Sequence, residues 1–160
     1  MRPTDPSALT PLEERAAQLR WPGGVAEAAP SLASLGGCDV VISASGAARD
    51  ILQSSLVAPG TIVCDVARPP DAPAARAQRG DVTVIDGGLV RLPQRGIAFG
   101  PGNLQGLPEG VVLACLAETV LHALDGTSVD TGVGHDVPVE EADRVIAMAA
   151  RHGFTTWDGQ

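Results

Sequence analysis

A chain of 160 residues, 44% of them hydrophobic and 19% charged, has the length and polarity of a globular protein with one core. Its formal charge of −8, from 11 basic and 19 acidic residues, comes with no basic patch interleaved with aromatics, which disfavours nucleic-acid binding. All 11 basic residues are Arg and Tyr is absent, so Schiff-base chemistry, Tyr–Lys hydride-transfer chemistry and Lys–Asp acid/base pairs are excluded within this chain.

In chain order, residues 1–11 carry Pro3, Pro6 and Pro11 and are expected to form a disordered leader. Leu12–Leu19 has helical spacing, with Leu12, Ala16 and Leu19 on one face, and Trp21-Pro-Gly-Gly24 ends it. Pro30–Gly37 predicts a short glycine-capped helix. Three apolar runs then read as strands at 38–44, 61–66 and 82–86, with one or two helical turns at 47–53 and a short Ala/Arg helix at 74–78 between them. Arg68–Pro73, with Pro69, Pro70 and Pro73, is a rigid loop. Leu89–Leu92 is a further short extended piece. Residues 96–110 are glycine-rich loop. Val111–Leu124 predicts the best helix of the chain, ended by Asp125-Gly126. Pro138–His152 predicts the last, with Pro138 in its first turn, Glu140 and Glu141 at its positive end and Gly153 behind it.

Continuous apolar runs flanked by short polar residues predict parallel strands buried on both faces. In open parallel sheets, ligands bind beyond the carboxyl ends of the strands. Those ends here carry Ser43, Ala44, Ser45 and Gly46, then Asp65, then Asp86, Gly87 and Gly88, whose small side chains admit a flat ligand to the backbone. The expected fold class is therefore α/β, an incomplete Rossmann-like parallel sheet with flanking helices and a C-terminal helical pair. It is expected as one NAD(P)-binding domain over 12–160 that lacks its first strand and glycine-rich phosphate loop. Asp65 has two readings, a ribose hydrogen-bond partner or a cap on the following turn.

Chemistry beyond the strand ends centres on Val111–Leu124. Cys115, Glu118 and His122 stand at i, i+3 and i+7, along one helix face. A thiol becomes a nucleophile as the thiolate. Glu118 has the wrong sign to stabilise one but can accept a proton or orient another group. The competing reading of Cys115 is a buried structural cysteine. The three cysteines, 38, 64 and 115, include no Cys-x-x-Cys pair, and the three histidines lack ligand spacing, so neither a disulfide framework nor a metal site is expected.

Ala114-Cys-Leu-Ala-Glu-Thr-Val-Leu121, its acidic-Gly end and a later helix finishing His152-Gly-Phe154 resemble the C-terminal part of the long-chain acyl-(acyl-carrier-protein) reductases and related NAD(P)-dependent dehydrogenases. The resemblance extends to Asp39–Ser45, Asp65 and Gly87-Gly88, and spans about 36–154 with gaps. It implies that Cys115 takes an acyl group as a thioester, with Glu118 beside it, and that NADP (NAD as the alternative) supplies the hydride that gives an aldehyde. The implied partner is acyl carrier protein or acyl-CoA as acyl donor; separately, the sheet edge left by the missing strands would invite pairing with a second chain that completes the sheet. Asp39-Val-Val-Ile-Ser-Ala-Ser-Gly46 and Val57–Asp65 also resemble the cofactor domains of methylenetetrahydrofolate and shikimate dehydrogenases. The catalytic Lys of those enzymes has no counterpart here.

Gly100-Pro-Gly-Asn-Leu-Gln-Gly106 is a loose form of the dinucleotide fingerprint. Its last glycine does not open a helix and no acidic strand end follows, so a flexible loop is expected. His135 is expected to be solvated and His152 to serve the helix dipole. No apolar run is long enough to span a bilayer and the N-terminus has no apolar signal region, so the expected compartment is cytoplasmic. The alternatives are a non-catalytic truncated Rossmann binding or assembly module, or a fragment of a folate- or shikimate-type dehydrogenase.

Overall fold

A computed structural model describes residues 13–14, 16–18, 23–47, 51–73, 79–103, 106–128 and 137–157. The leader 1–11, the helix expected at 74–78 and the loop around His135 lie outside the described residues. The fold is mixed α/β. Strands β1 (Val40–Ser43), β2 (Ile62–Asp65) and β3 (Thr83–Asp86) form a parallel three-stranded sheet in the order β1-β2-β3. A second, antiparallel sheet has the order β5-β4-β6, from β4 (Leu89–Arg91), β5 (Val111–Leu113) and β6 (Thr155–Thr156). Helices α1 (Ala114–Leu124) and α2 (Val139–Arg151) accompany the sheets, with 3-10 turns at Leu32–Gly37 and Ser54–Leu56, and the described residues 13–14 and 16–18 are helical, within the helix expected at Leu12–Leu19. The combination is consistent with an incomplete Rossmann-like fold.

The chain divides into two compact units, one of residues 1–63 and 68–84, the other of residues 64–67 and 85–160. In the first, Val41, Leu52, Val57, Val63, Ala72 and Val82 form the core, with Leu35 and Ile51 against it. The Leu32–Gly37 turn starts at Ser31, whose hydroxyl accepts the Ala33 N–H at 3.1 Å. Arg79 ties down the far side of this unit, donating to the carbonyls of Ser54 and Val57 and pairing with the Asp81 carboxylate.

The expected burial of both sheet faces is corrected here. Val41 and Ser43 of β1 are buried while Val40 and Ile42 alternate outward, 58% and 73% exposed, and Ile62 of β2 follows them at 41%. An apolar run reports that both faces tolerate hydrocarbon; alternation along the backbone decides which side chains meet the core.

In the second unit, Leu92, Val112, Ala117, Leu121, Met148 and Phe154 pack as one core joining β4, β5, α1 and α2. The helix expected over 111–124 begins three residues later, because Val111, Val112 and Leu113 pair as strand with Arg91, Val90 and Leu89. Two β-branched residues at the start of an apolar run favour the ladder over the helix. Strand β6 was not expected; Thr156 and Thr155 add to the other side of β4, opposite Val90 and Arg91. The last helix is as read. Glu140 and Glu141 sit in its first turn and Arg151 in its last, and Gly153, at φ 76°, turns the chain so that the Phe154 N–H reaches the Ala149 carbonyl at 2.9 Å.

The glycine-rich loop is knit together by one side chain. Asn103 sits at φ 57°; its carboxamide oxygen accepts the Phe99 N–H at 3.0 Å and its nitrogen donates to the carbonyls of Leu107, Pro108 and Val111 at 3.2, 2.8 and 3.1 Å. Replacing Asn103 by Ala removes these bonds and leaves a Cβ residue in the left-handed region. We expect Asn103→Ala to lower unfolding stability by about 2 kcal/mol, read by denaturant titration. Full wild-type stability in that variant would show that the loop is held by something else.

Candidate functional site

At the end of β1, in the first unit, backbone alternation points Ser43 and Ser45 inward and leaves Ala44 and Gly46 exposed. The inward hydroxyls meet a residue that the sequence reading treated only as part of a rigid loop. The Asp71 carboxylate, wholly buried, accepts from Ser43 Oγ at 2.6 Å and the Ser45 N–H at 3.0 Å on Oδ2, and from Ser45 Oγ at 2.7 Å on Oδ1. Ser45 Oγ in turn accepts the Ala47 N–H at 3.2 Å. The Asp71 carbonyl accepts from the N–H groups of Ile51 and Leu52 at 3.1 and 2.9 Å. Both hydroxyl protons are thus committed inside the protein, and the groups this segment turns outward are those of Ala44 and Gly46.

Burial pushes the Asp71 carboxyl upward, but the hydroxyls of Ser43 and Ser45 and the Ser45 N–H outweigh it, so its pKa lies below the ordinary 3.8. A carboxyl depressed in the folded state stabilises the fold fully above the unfolded value, and that contribution is lost as pH falls through the folded value. Acid titration of the wild type should therefore show stability falling below about pH 3.8, and Asp71→Asn should flatten that limb while losing about 2 kcal/mol at neutral pH. An acid limb of unchanged steepness in Asp71→Asn would contradict the assignment.

The remaining strand-end residues belong to the second unit. Asp65 is buried, and its Oδ1 accepts the Ala67 N–H at 3.1 Å, the capping arrangement. Asp86 is half-buried. Gly87 donates its N–H to the Asp65 carbonyl at 2.8 Å. A Cβ on Gly87 would lie 2.8 Å from both Cys64 Sγ and Val66 Cγ2, so its bare backbone is occupied by neighbouring side chains. Gly88 is a glycine for another reason, its φ of 71°. Its carbonyl accepts the Ala114 N–H at 2.8 Å, which joins the turn after β3 to the first residue of α1. Gly87→Ala should destabilise the protein by about 1–3 kcal/mol through overpacking, measured by thermal or denaturant unfolding; an unaffected variant would mean that Cys64 and Val66 move aside freely.

Cys115 is the second residue of α1 and is exposed, so it is not the buried structural cysteine of the competing reading. Glu118 follows one turn later, its Oε1 3.9 Å from His122 Nε2. His122 Nδ1 lies 2.9 Å from Thr127 Oγ1. Among the described residues no side chain hydrogen bonds the Cys115 thiol. The helix therefore brings Glu118 and His122 together and leaves the thiol open to a reactant.

Asp125, Arg151 and His152 form a separate cluster at the ends of α1 and α2, with Asp125 Oδ1 2.7 Å from His152 Nε2 and Oδ2 2.9 Å from Arg151 Nη1. The hydrogen bond with His152, aided by Arg151, holds Asp125 below 3.8 against the opposing pull of burial. His152 thus answers a carboxylate as well as the helix dipole. Among the described residues no group of three or more His, Cys, Asp or Glu is arranged to hold a metal ion, and no helix is long and apolar enough to cross a membrane.

No family model matches the chain. Over 121 residues, 75% of its length, the chain is 26% identical to the aminotransferase PigE of Serratia sp. (strain ATCC 39006). The match covers 14% of that protein, so this chain corresponds to a small part of a much longer relative.

Proposed function

We propose that the chain is an NAD(P)-dependent reductase module for acyl thioesters, with Cys115 as the residue that takes the acyl group. The observation that carries this reading is the 2.8 Å bond from the Ala114 N–H to the Gly88 carbonyl. It fixes the residue before an exposed cysteine against the turn that closes a parallel strand, and such turns border nucleotide sites in open α/β sheets.

The residues that would hold NADPH within the first unit are Ala44 and Gly46. Ser43 and Ser45 shape that segment from within through Asp71. The fit rests on the exposed positions of Ala44 and Gly46, flanked by small side chains, which suits a flat ligand. Bound NADPH supplies a hydride, the one component of thioester reduction that no side chain provides. The chain's own residues do the rest. The Cys115 sulfur attacks the acyl carbonyl, the carrier thiol leaves with the proton given up by Cys115, and the acyl group stays on the cysteine. Glu118, one turn along the same helix and 3.9 Å from His122 Nε2, is the proposed acceptor of that proton.

The name of this relative points elsewhere, to amino-group transfer. Such chemistry through a Schiff-base cofactor uses a lysine amine, and this chain has no lysine. The reductase reading is preferred for this segment because its candidate nucleophile, Cys115, lies within it. A non-catalytic assembly module is the second reading, favoured by the aliphatic face of Val40, Ile42 and Ile62 left exposed on β1 and β2.

Incubation with long-chain acyl-CoA or acylated carrier protein, followed by intact-mass and peptide mapping, tests the proposal. One acyl adduct on Cys115 is expected, abolished in Cys115→Ala and slowed roughly tenfold or more in Glu118→Gln. Absence of an adduct, or acylation spread over Cys38 and Cys64, would overturn it. A strictly monomeric chain that also ignores NADPH would count against both readings.

A further inference from the structure

We propose that Asp71 is a positioning residue for nucleotide binding, fixing the backbone of Ala44–Gly46 through Ser43 and Ser45; the proposal rests on the NAD(P)-binding reading above. The chain leaves β1 at Ser43 and returns at Ile51, and Asp71 holds it at both points. Its carboxylate takes three donors from Ser43 and Ser45 on the departing side, and its carbonyl takes the N–H groups of Ile51 and Leu52 on the returning side.

The chemistry of the acceptor is selective. All three donors converge on two oxygens of one side chain, and an ionised carboxylate accepts all of them, whereas an amide of the same shape would set its own N–H₂ against at least one. A buried charge is a costly way to close a loop, and charge-assisted bonds are correspondingly stiff. The consequence is a segment whose hydroxyls face inward as donors to Asp71 and whose Ala44 and Gly46 face outward in a single arrangement. A ligand that docks on this backbone then meets it already ordered and does not have to order it, which raises affinity without a new contact. Asp71 itself, wholly buried, touches no ligand.

The test compares wild type with Asp71→Asn, Ser43→Ala and, as an equally local control in the same unit, Arg79→Ala. NADPH affinity is measured by cofactor fluorescence, and amide exchange by NMR, at a temperature where circular dichroism shows every variant folded. We expect NADPH to bind about tenfold or more weakly to Asp71→Asn, the equivalent of one charged hydrogen bond, and about threefold more weakly to Ser43→Ala, with Arg79→Ala like wild type. The Ala47 N–H, which reaches Asp71 only through Ser45 Oγ, should exchange faster in Asp71→Asn while the Val63 amide in the core of the same unit stays unchanged. A purely structural role would speed both amides together and leave the affinity of the folded fraction intact. Should Asp71→Asn not fold, Ser43→Ala carries the comparison alone. Wild type that binds NADPH together with variants that bind it equally well would overturn the positioning role and leave the cofactor reading standing. Wild type that does not bind NADPH would overturn the cofactor reading and the nucleotide role of Asp71 with it, while faster exchange confined to Ala47 would still identify Asp71 as the residue that orders this loop.

Discussion

Asp71 places a negative charge where solvent does not reach it, and a charge so placed persists only when donors surround it. The donors it has recruited are the two serines that end β1, 26 and 28 residues earlier in the chain. That demand fixes which way the strand end faces, which atoms of it are spent internally, and where the chain re-enters the core at Ile51 and Leu52. Asp65 does a smaller version of the same at the end of β2, capping the Ala67 N–H. Both acidic residues that look from sequence like ligand partners or loop filler thus act within the protein; the exposed surface after β1 is main chain and small side chains, whereas after β2 the aliphatic Val66 is exposed.

Main-chain surface of this kind is well suited to a dinucleotide, because backbone groups recognise ribose and phosphate without contributing to net charge. An acidic chain can therefore bind an anionic cofactor. The second unit adds an exposed cysteine. The Gly88 carbonyl receives the first N–H of α1, a donor that the helix itself cannot satisfy, and the next residue is that cysteine. Joining a strand-end turn to a helix in this way is a packing solution first; it places Cys115 in an accessible position as a by-product of how the helix start is satisfied.

The sequence disclosed the elements better than the site. Strands expected at 38–44, 61–66 and 82–86 contain β1, β2 and β3, because β-branched runs between Gly and Pro signals leave few alternatives. The helix over 139–151 was legible from its charged ends and trailing glycine. Val111–Leu113 was not, since three apolar residues fit a helix start and a strand equally until their partners on β4 are known. The outward Val40 and Ile42 were misjudged for a related reason: hydrophobic content does not say which face is covered. Asp71 was missed because nothing local distinguishes it; its partners are remote in sequence, and a carboxylate between prolines ordinarily reads as solvated loop. The serines drew attention for the right position and the wrong atoms, as a strand-end hydroxyl serves a buried acceptor as readily as a ligand.

Backbone recognition at the strand ends is the claim on which the reductase reading stands, and amide chemical shifts observe it residue by residue. Titrating the isotopically labelled wild-type chain with NADPH should displace the amide resonances of Ala44 and Gly46 in a saturable manner while those of α2 hold still. Resonances that do not move, or that move only along α2 or the Asn103 loop, would contradict it.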